Sequence, residues 1–165
     1  MRLQKDGTIF NIVVLFSYLL LFSVLILIVG SKLGGPLTRI EASNIHRFLE
    51  WVGIGNVLMG NMIYLPGEGL SFEITWQCSG TFSITLYTVV YLLLPRIRRD
   101  FWGWFFGSAV LYFTNFLRVV SIIYVYQRFG ERMFLLFHYV IGPSIMFTMV
   151  VILLGVALLR GLKSV

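Results

Sequence analysis

Apolar residues run without a charge from Ile9 to Gly30, as "IFNIVVLFSYLLLFSVLILIVG". A bilayer core needs roughly 20 such residues, so this run is long enough to cross. A cleavable secretory signal has a shorter apolar region and a small-residue cleavage site, so the run reads as a retained helix. Three more apolar stretches follow: 78–94, which stops at "PRIRRD"; 101–126, broken only by Arg118; and 134–159, which ends in "RGLK". The pattern predicts an all-α polytopic membrane protein of one domain, 1–165, with four transmembrane helices.

Between the first two spans, 31–77 follows different periods. "TRIEASNIHRFLEWVG" opens on Thr38-x-x-Glu41, a capping-box spacing, and then places Ile45, Phe48, Leu49 and Val52 on one helical face. Such a helix would lie flat on the outer leaflet. "NMIYL" and "LSFEITW" alternate apolar with polar positions on either side of "PGEG", a turn signal, and predict a small β-hairpin.

Composition supports the membrane reading. Hydrophobic residues make up 58% of the chain and charged residues 12%, about half the charge that covers a water-soluble domain. The single cysteine excludes an intramolecular disulfide. The net charge of +6 falls in short clusters at span ends, and no basic stripe interleaved with stacking aromatics points to nucleic acid. With both termini inside, the inner side holds Arg2, Lys5, Arg96, Arg98, Arg99, Arg160 and Lys163, and the outer side Lys32, Arg39, Arg47, Arg128 and Arg132. Lys and Arg then favour the cytoplasm, as the positive-inside rule prefers, and 31–77 lies outside.

Three side chains break the apolar pattern at a common depth. At 1.5 Å per residue, Cys78 lies about 24 Å above Leu94, Arg118 about 26 Å above Phe101 and His138 about 32 Å above Leu159. All three reach the outer edge of a hydrocarbon core about 30 Å thick. Each alone has a plainer reading. Cys78 could be a small buried hydrophobe, Arg118 could snorkel to head groups, and His138 could be a satisfied interfacial histidine. His46 reads as solvated helix face, Glu68 as hairpin surface, and Glu73 as hairpin surface close enough to Cys78 to remain a second candidate.

Arg118 has no charged neighbour nearer than Asp100 and Arg128, and an arginine so isolated in a span implies function. Asn115, one turn earlier, is placed to hold its guanidinium. Together the three residues form an inventory for acyl transfer on a peptide bond. A thiolate attacks, a histidine moves the proton, and an arginine stabilises the thiolate or an oxyanion. The inventory needs no metal cluster or acidic pair, and no cofactor is expected.

"QCSG" opening one helix, "NFLR" late in the next and "FHYVIG" at the start of another resemble the exosortase/archaeosortase family of polytopic membrane cysteine transpeptidases and proteases. That family carries Cys in C-[ST]-G, Arg in N-x-x-R and a third basic residue. The resemblance, over about 70–155, implies Cys78 as nucleophile, His138 as general base and acid, and Arg118 as the oxyanion or thiolate stabiliser. Ser79, Gly80 and Asn115 complete the motifs. It further implies partners: secreted proteins ending in a short motif, a membrane helix and a basic cluster, with a lipid or other amine as acceptor. Many relatives have more helices than 165 residues allow.

Two other classes fit the pattern. In a membrane scaffold or lipid-binding subunit, Arg118 would clamp a lipid phosphate and Cys78 would only pack. In a transporter or channel subunit, Arg118 would line a polar path, though a single intramembrane charge suits that less well. An impermeant thiol reagent separates the enzyme from the scaffold, which predicts an inert, buried Cys78.

Overall fold

The computed structural model describes residues 34–76, 78–93 and 100–163, and before them the isolated helical positions Ser17, Val24, Ile28 and Lys32. Apart from those positions, the predicted first span 9–30 lies outside the described residues, as does the arginine-rich stretch 94–99.

The described chain forms helix α1 (34–51), strands β1 (Val57–Met59), β2 (Met62–Leu65) and β3 (Leu70–Glu73), and helices α2 (Thr81–Leu93) and α3 (Phe101–Leu136). A π-helical turn, Phe137–Ile141, then leads into α4 (Gly142–Lys163). Helix α3 is interrupted at Gly130, whose φ of 74° and ψ of −170° are not helical. The predicted third and fourth spans fall on α3 and on the π turn with α4. Among the described residues, the stretch Phe101–Arg160 is long and apolar enough to cross a membrane. Its outward side chains, Phe105, Phe113, Leu117, Phe147 and Val151 among them, are exposed. That suits contact with lipid better than with water.

The segment that follows α1 differs from the predicted hairpin. It is a three-stranded antiparallel sheet in the order β1-β2-β3. Met59 pairs with Met62 across the tight Gly60-Asn61 turn, and Leu65 with Leu70. Helix α1 also differs. It is already helical at Gly34, so Thr38 and Glu41 lie inside it rather than capping it. Thr38 Oγ1 donates to the Gly35 carbonyl at 2.9 Å. Ile45 and Leu49 are fully buried, but against Ile63, Leu65, Ile74, Val119 and Ile123, so these two pack on protein rather than on a leaflet, while Val52 of the predicted face is exposed. Burying each stabilises by about 2 kcal/mol.

A second apolar cluster joins Tyr87 and Tyr91 of α2, Leu111 of α3, and Met146, Val150 and Ala157 of α4. Small residues let α2 and α3 approach closely. Tyr87 lies where a Cβ on Gly107 would be, and Tyr91 Oη donates to the Asp100 carbonyl at 2.8 Å. Along α3, Leu111 belongs to one cluster and Val119 and Ile123 to the other. Asn115 and Arg118 sit between them.

Candidate active site

Cys78 is in a turn, three residues before the helix that was predicted to start with it. Its N–H and that of Ser79 both donate to the Thr75 carbonyl at 3.0 Å. Ser79 Oγ donates to the Trp76 carbonyl at 2.8 Å and lies 2.6 Å from Thr81 Oγ1. Gly80 then takes a φ of 69°, a backbone region that side chains other than glycine rarely adopt. These contacts keep Cys78 out of the helix and leave it half-buried.

Asn115 holds the turn from behind. Its Nδ2 donates to the Cys78 carbonyl and to Glu41 Oε1, both at 2.7 Å. Asn115 is fully buried, and among the described residues its Oδ1 has no partner and Arg118 Nε is likewise buried without one. The predicted bond from Asn115 to the guanidinium is therefore not the one formed. The amide spans from α1 to the cysteine turn instead.

Glu41 was missed as a site residue. It is 1% exposed, and burial pushes its carboxyl up to about 7 against the opposing influence of the Asn115 hydrogen bond and the Arg118 charge. The folded chain thus holds a proton there that the unfolded chain releases. The stabilising contribution of Glu41 is largest at low pH and falls as pH rises from 4.5 to about 7. The capping-box spacing concealed a simpler signal: Glu41 lies four residues before Ile45, on the same buried stripe as Ala42 and Leu49.

Cys78, Arg118 and His138 line one cavity of ≈ 190 Å³, together with Glu73, Phe72 and Phe134. The same three residues and Glu73 border a larger groove of ≈ 500 Å³ that runs between α2 and α4 past Phe82, Leu86, Pro143, Met146 and Phe147. His138 is carried by the π turn, a form frequent at functional sites. Its ring stacks on Phe134 at 5.4 Å, and Phe134 meets Phe72 of β3 at 5.8 Å. The sheet thereby braces the histidine through two rings. Glu73 is exposed at the rim, with Asn61 Nδ2 donating to its Oε1 at 3.3 Å. Glu68 lies elsewhere, beside Pro66 and Gln127. His46 is not simply solvated: its Nδ1 lies 2.6 Å from Asn56 Oδ1 and its Nε2 3.6 Å from Glu50.

The sequence profile described as Transmembrane exosortase (Exosortase_EpsH) matches residues 8–156. The chain belongs to this family. It is also 25% identical over 150 residues to the probable archaeosortase E of Methanocaldococcus jannaschii, covering 91% of this chain and 77% of that protein. No solved structure matches it. Membership of the exosortase family identifies a membrane protein and suggests a sorting protease or transpeptidase.

The geometry supplies physical reasons for two glycines of the family motifs. A Cβ on Gly80 would come within 2.9 Å of Asn115 Cβ, and one on Gly142 within 3.0 Å of Arg118 Nε. Both glycines make room for the side chains that flank the cysteine. Gly80→Ala is expected to lose about 1–3 kcal/mol of stability through its strained φ and this overlap. Thermal unfolding in detergent reads this as a lower midpoint. A wild-type midpoint would contradict the packing described.

Proposed function

We propose that the chain is a membrane-embedded cysteine peptidase or transpeptidase of secreted surface proteins. The convergence of Cys78, Arg118 and His138 on one cavity carries this reading. In it, the chain is a single membrane domain with four spans and both termini inside, and the cavity opens on the extracytoplasmic face. The substrate is the C-terminal signal of a secreted protein: a short motif, an apolar helix and a basic cluster. The apolar groove beside α2 and α4 suits the chain that follows the scissile bond.

Chemically, His138 takes the thiol proton and the sulfur attacks the scissile carbonyl carbon. The carbonyl π electrons move to oxygen, giving a tetrahedral oxyanion opposite the Arg118 guanidinium. Collapse breaks the C–N bond, and His138 returns the proton to the leaving amine. The thioester on Cys78 is then attacked by water or by an amine acceptor such as a lipid head group, which regenerates the thiol.

The test is processing of a co-expressed secreted protein carrying such a signal, in membranes and at matched enzyme levels. His138→Ala is expected to lower processing by about 100-fold or more, since proton transfer commonly contributes 10²–10⁴. His46→Ala, whose ring contacts Asn56 and Glu50 away from the cavity, should keep it. Equal processing by His138→Ala and wild type would remove His138 from the mechanism.

A further inference from the structure

We propose that Glu41 is a positioning residue of the thiol site, acting through the Asn115 amide on the Cys78 carbonyl and by its charge on Arg118. The inference rests on the cysteine-peptidase reading and deepens it. A lone carboxylate is an expensive occupant of a buried helix stripe unless it is paired or hydrogen-bonded. The stripe it occupies otherwise holds Ala42, Ile45 and Leu49, all 1% exposed or less. What Glu41 touches is the amide that holds the nucleophile's own backbone.

Asn115 Nδ2 has two hydrogens, and each meets one acceptor at 2.7 Å, Glu41 Oε1 on α1 and the Cys78 carbonyl in the turn. An asparagine amide can be reversed end for end at little steric cost. The Cys78 carbonyl can only accept, so it requires the amino end of the amide at the turn, and Glu41 Oε1 takes the second hydrogen. Glu41 thus ties that amide to α1 and limits how far it can swing from the cysteine turn. Gly80, whose missing Cβ leaves the space against Asn115, completes the clamp.

The charge has a second consequence. The charged group that acts on the Glu41 carboxyl is Arg118 on α3, and the ionisable groups that line the cavity with Arg118 are Cys78 in the turn, Glu73 at the end of β3 and His138 on the π turn. Ionised Glu41 offsets part of the positive field that would favour a thiolate. Neutral Glu41 removes that offset. Thiol reactivity should therefore respond to the Glu41 proton as well as to its own.

The experiment uses the full chain in membranes, as wild type, Cys78→Ala, Glu41→Ala and Glu41→Gln. Two quantities are read: substrate processing at matched protein levels, and the alkylation rate of the single cysteine by iodoacetamide against pH. Glu41→Ala removes the acceptor and should process about tenfold more slowly or worse. Glu41→Gln keeps an acceptor for Asn115 and should regain part of that loss. The wild-type alkylation profile should break near pH 7, and Glu41→Gln should lack the break and alkylate about threefold faster or more above it.

Wild-type processing by Glu41→Ala, or superimposable alkylation profiles, would overturn the proposal. If neither variant accumulates, the wild-type profile decides alone, and the lack of a break near pH 7 overturns it. The two readings fail separately. Processing by Cys78→Ala sinks the thiol mechanism whatever Glu41 does, whereas an inactive Cys78→Ala beside fully active Glu41 variants sinks only the role of Glu41.

Discussion

Cys78→Ala is expected to abolish processing while the protein accumulates in membranes at the wild-type level. The two halves of that result have separate causes. The bonds that hold this position are made by its backbone: its N–H donates to Thr75, and its carbonyl accepts from Asn115. Alanine preserves both. Cys78 is half-buried and lines the cavity, so removal of its sulfur should cost about 1 kcal/mol of packing. Catalysis, by contrast, loses the atom that forms the covalent bond. Removal of a nucleophile from a coupled set commonly costs far more than a thousandfold, about 10⁶ in a well-studied serine protease. Cys78→Ser should be equally inactive, because a hydroxyl lacks the intrinsic nucleophilicity of a thiolate. Immunoblotting of precursor and product at matched expression reads both variants. Residual processing within tenfold of wild type would contradict a covalent role for the thiol.

Arg118→Lys is expected to insert and fold normally but to lose about 100- to 1000-fold in turnover, the usual cost of one oxyanion donor. Lysine keeps the positive charge, so a side chain that merely snorkels to head groups would survive the change. It does not keep the shape. Arg118 Nε is buried, close to where Gly142 lacks a Cβ, and lysine puts a methylene there in place of an N–H donor. The planar fork is replaced by a single point charge with other directions of approach. Processing of the co-expressed substrate in membranes measures the loss. Wild-type turnover by Arg118→Lys would return the arginine to the lipid head groups and leave the chemistry to Cys78 and His138.

Much of the segment between α1 and α2 was legible because local chemistry and tertiary context agree there. The β2–β3 hairpin follows from the alternation around "PGEG", and Ile45 and Leu49 are buried as their spacing requires. Strand β1 was overlooked although Gly60-Asn61 is a recognised two-residue hairpin turn, because Val57–Met59 is too short to alternate visibly. Glu41 was misread for a different reason. Thr38-x-x-Glu41 satisfies a capping rule that applies only where a helix begins, and here the helix begins earlier. Local spacing cannot tell these cases apart.

The site itself was partly legible. Depth along each span placed Cys78, Arg118 and His138 together in height, but spacing along separate helices carries no information on rotation between them. That all three border one cavity, and that Asn115 turns toward the cysteine rather than the arginine, are consequences of packing. The turn that keeps Cys78 outside α2 depends on the positive φ of Gly80. Sequence marks that glycine as permissive without saying which conformation it takes.

The covalent intermediate tests the central claim most directly. Purified protein incubated with a peptide bearing the sorting signal, quenched in acid and digested, should give a fragment spanning Cys78 whose mass has increased by the acyl portion of the substrate. Neutral hydroxylamine should release it, as it does a thioester, and Cys78→Ala should not form it. Cleavage of the peptide by the wild-type protein with no adduct under these conditions, or with an adduct on another residue, would contradict the account.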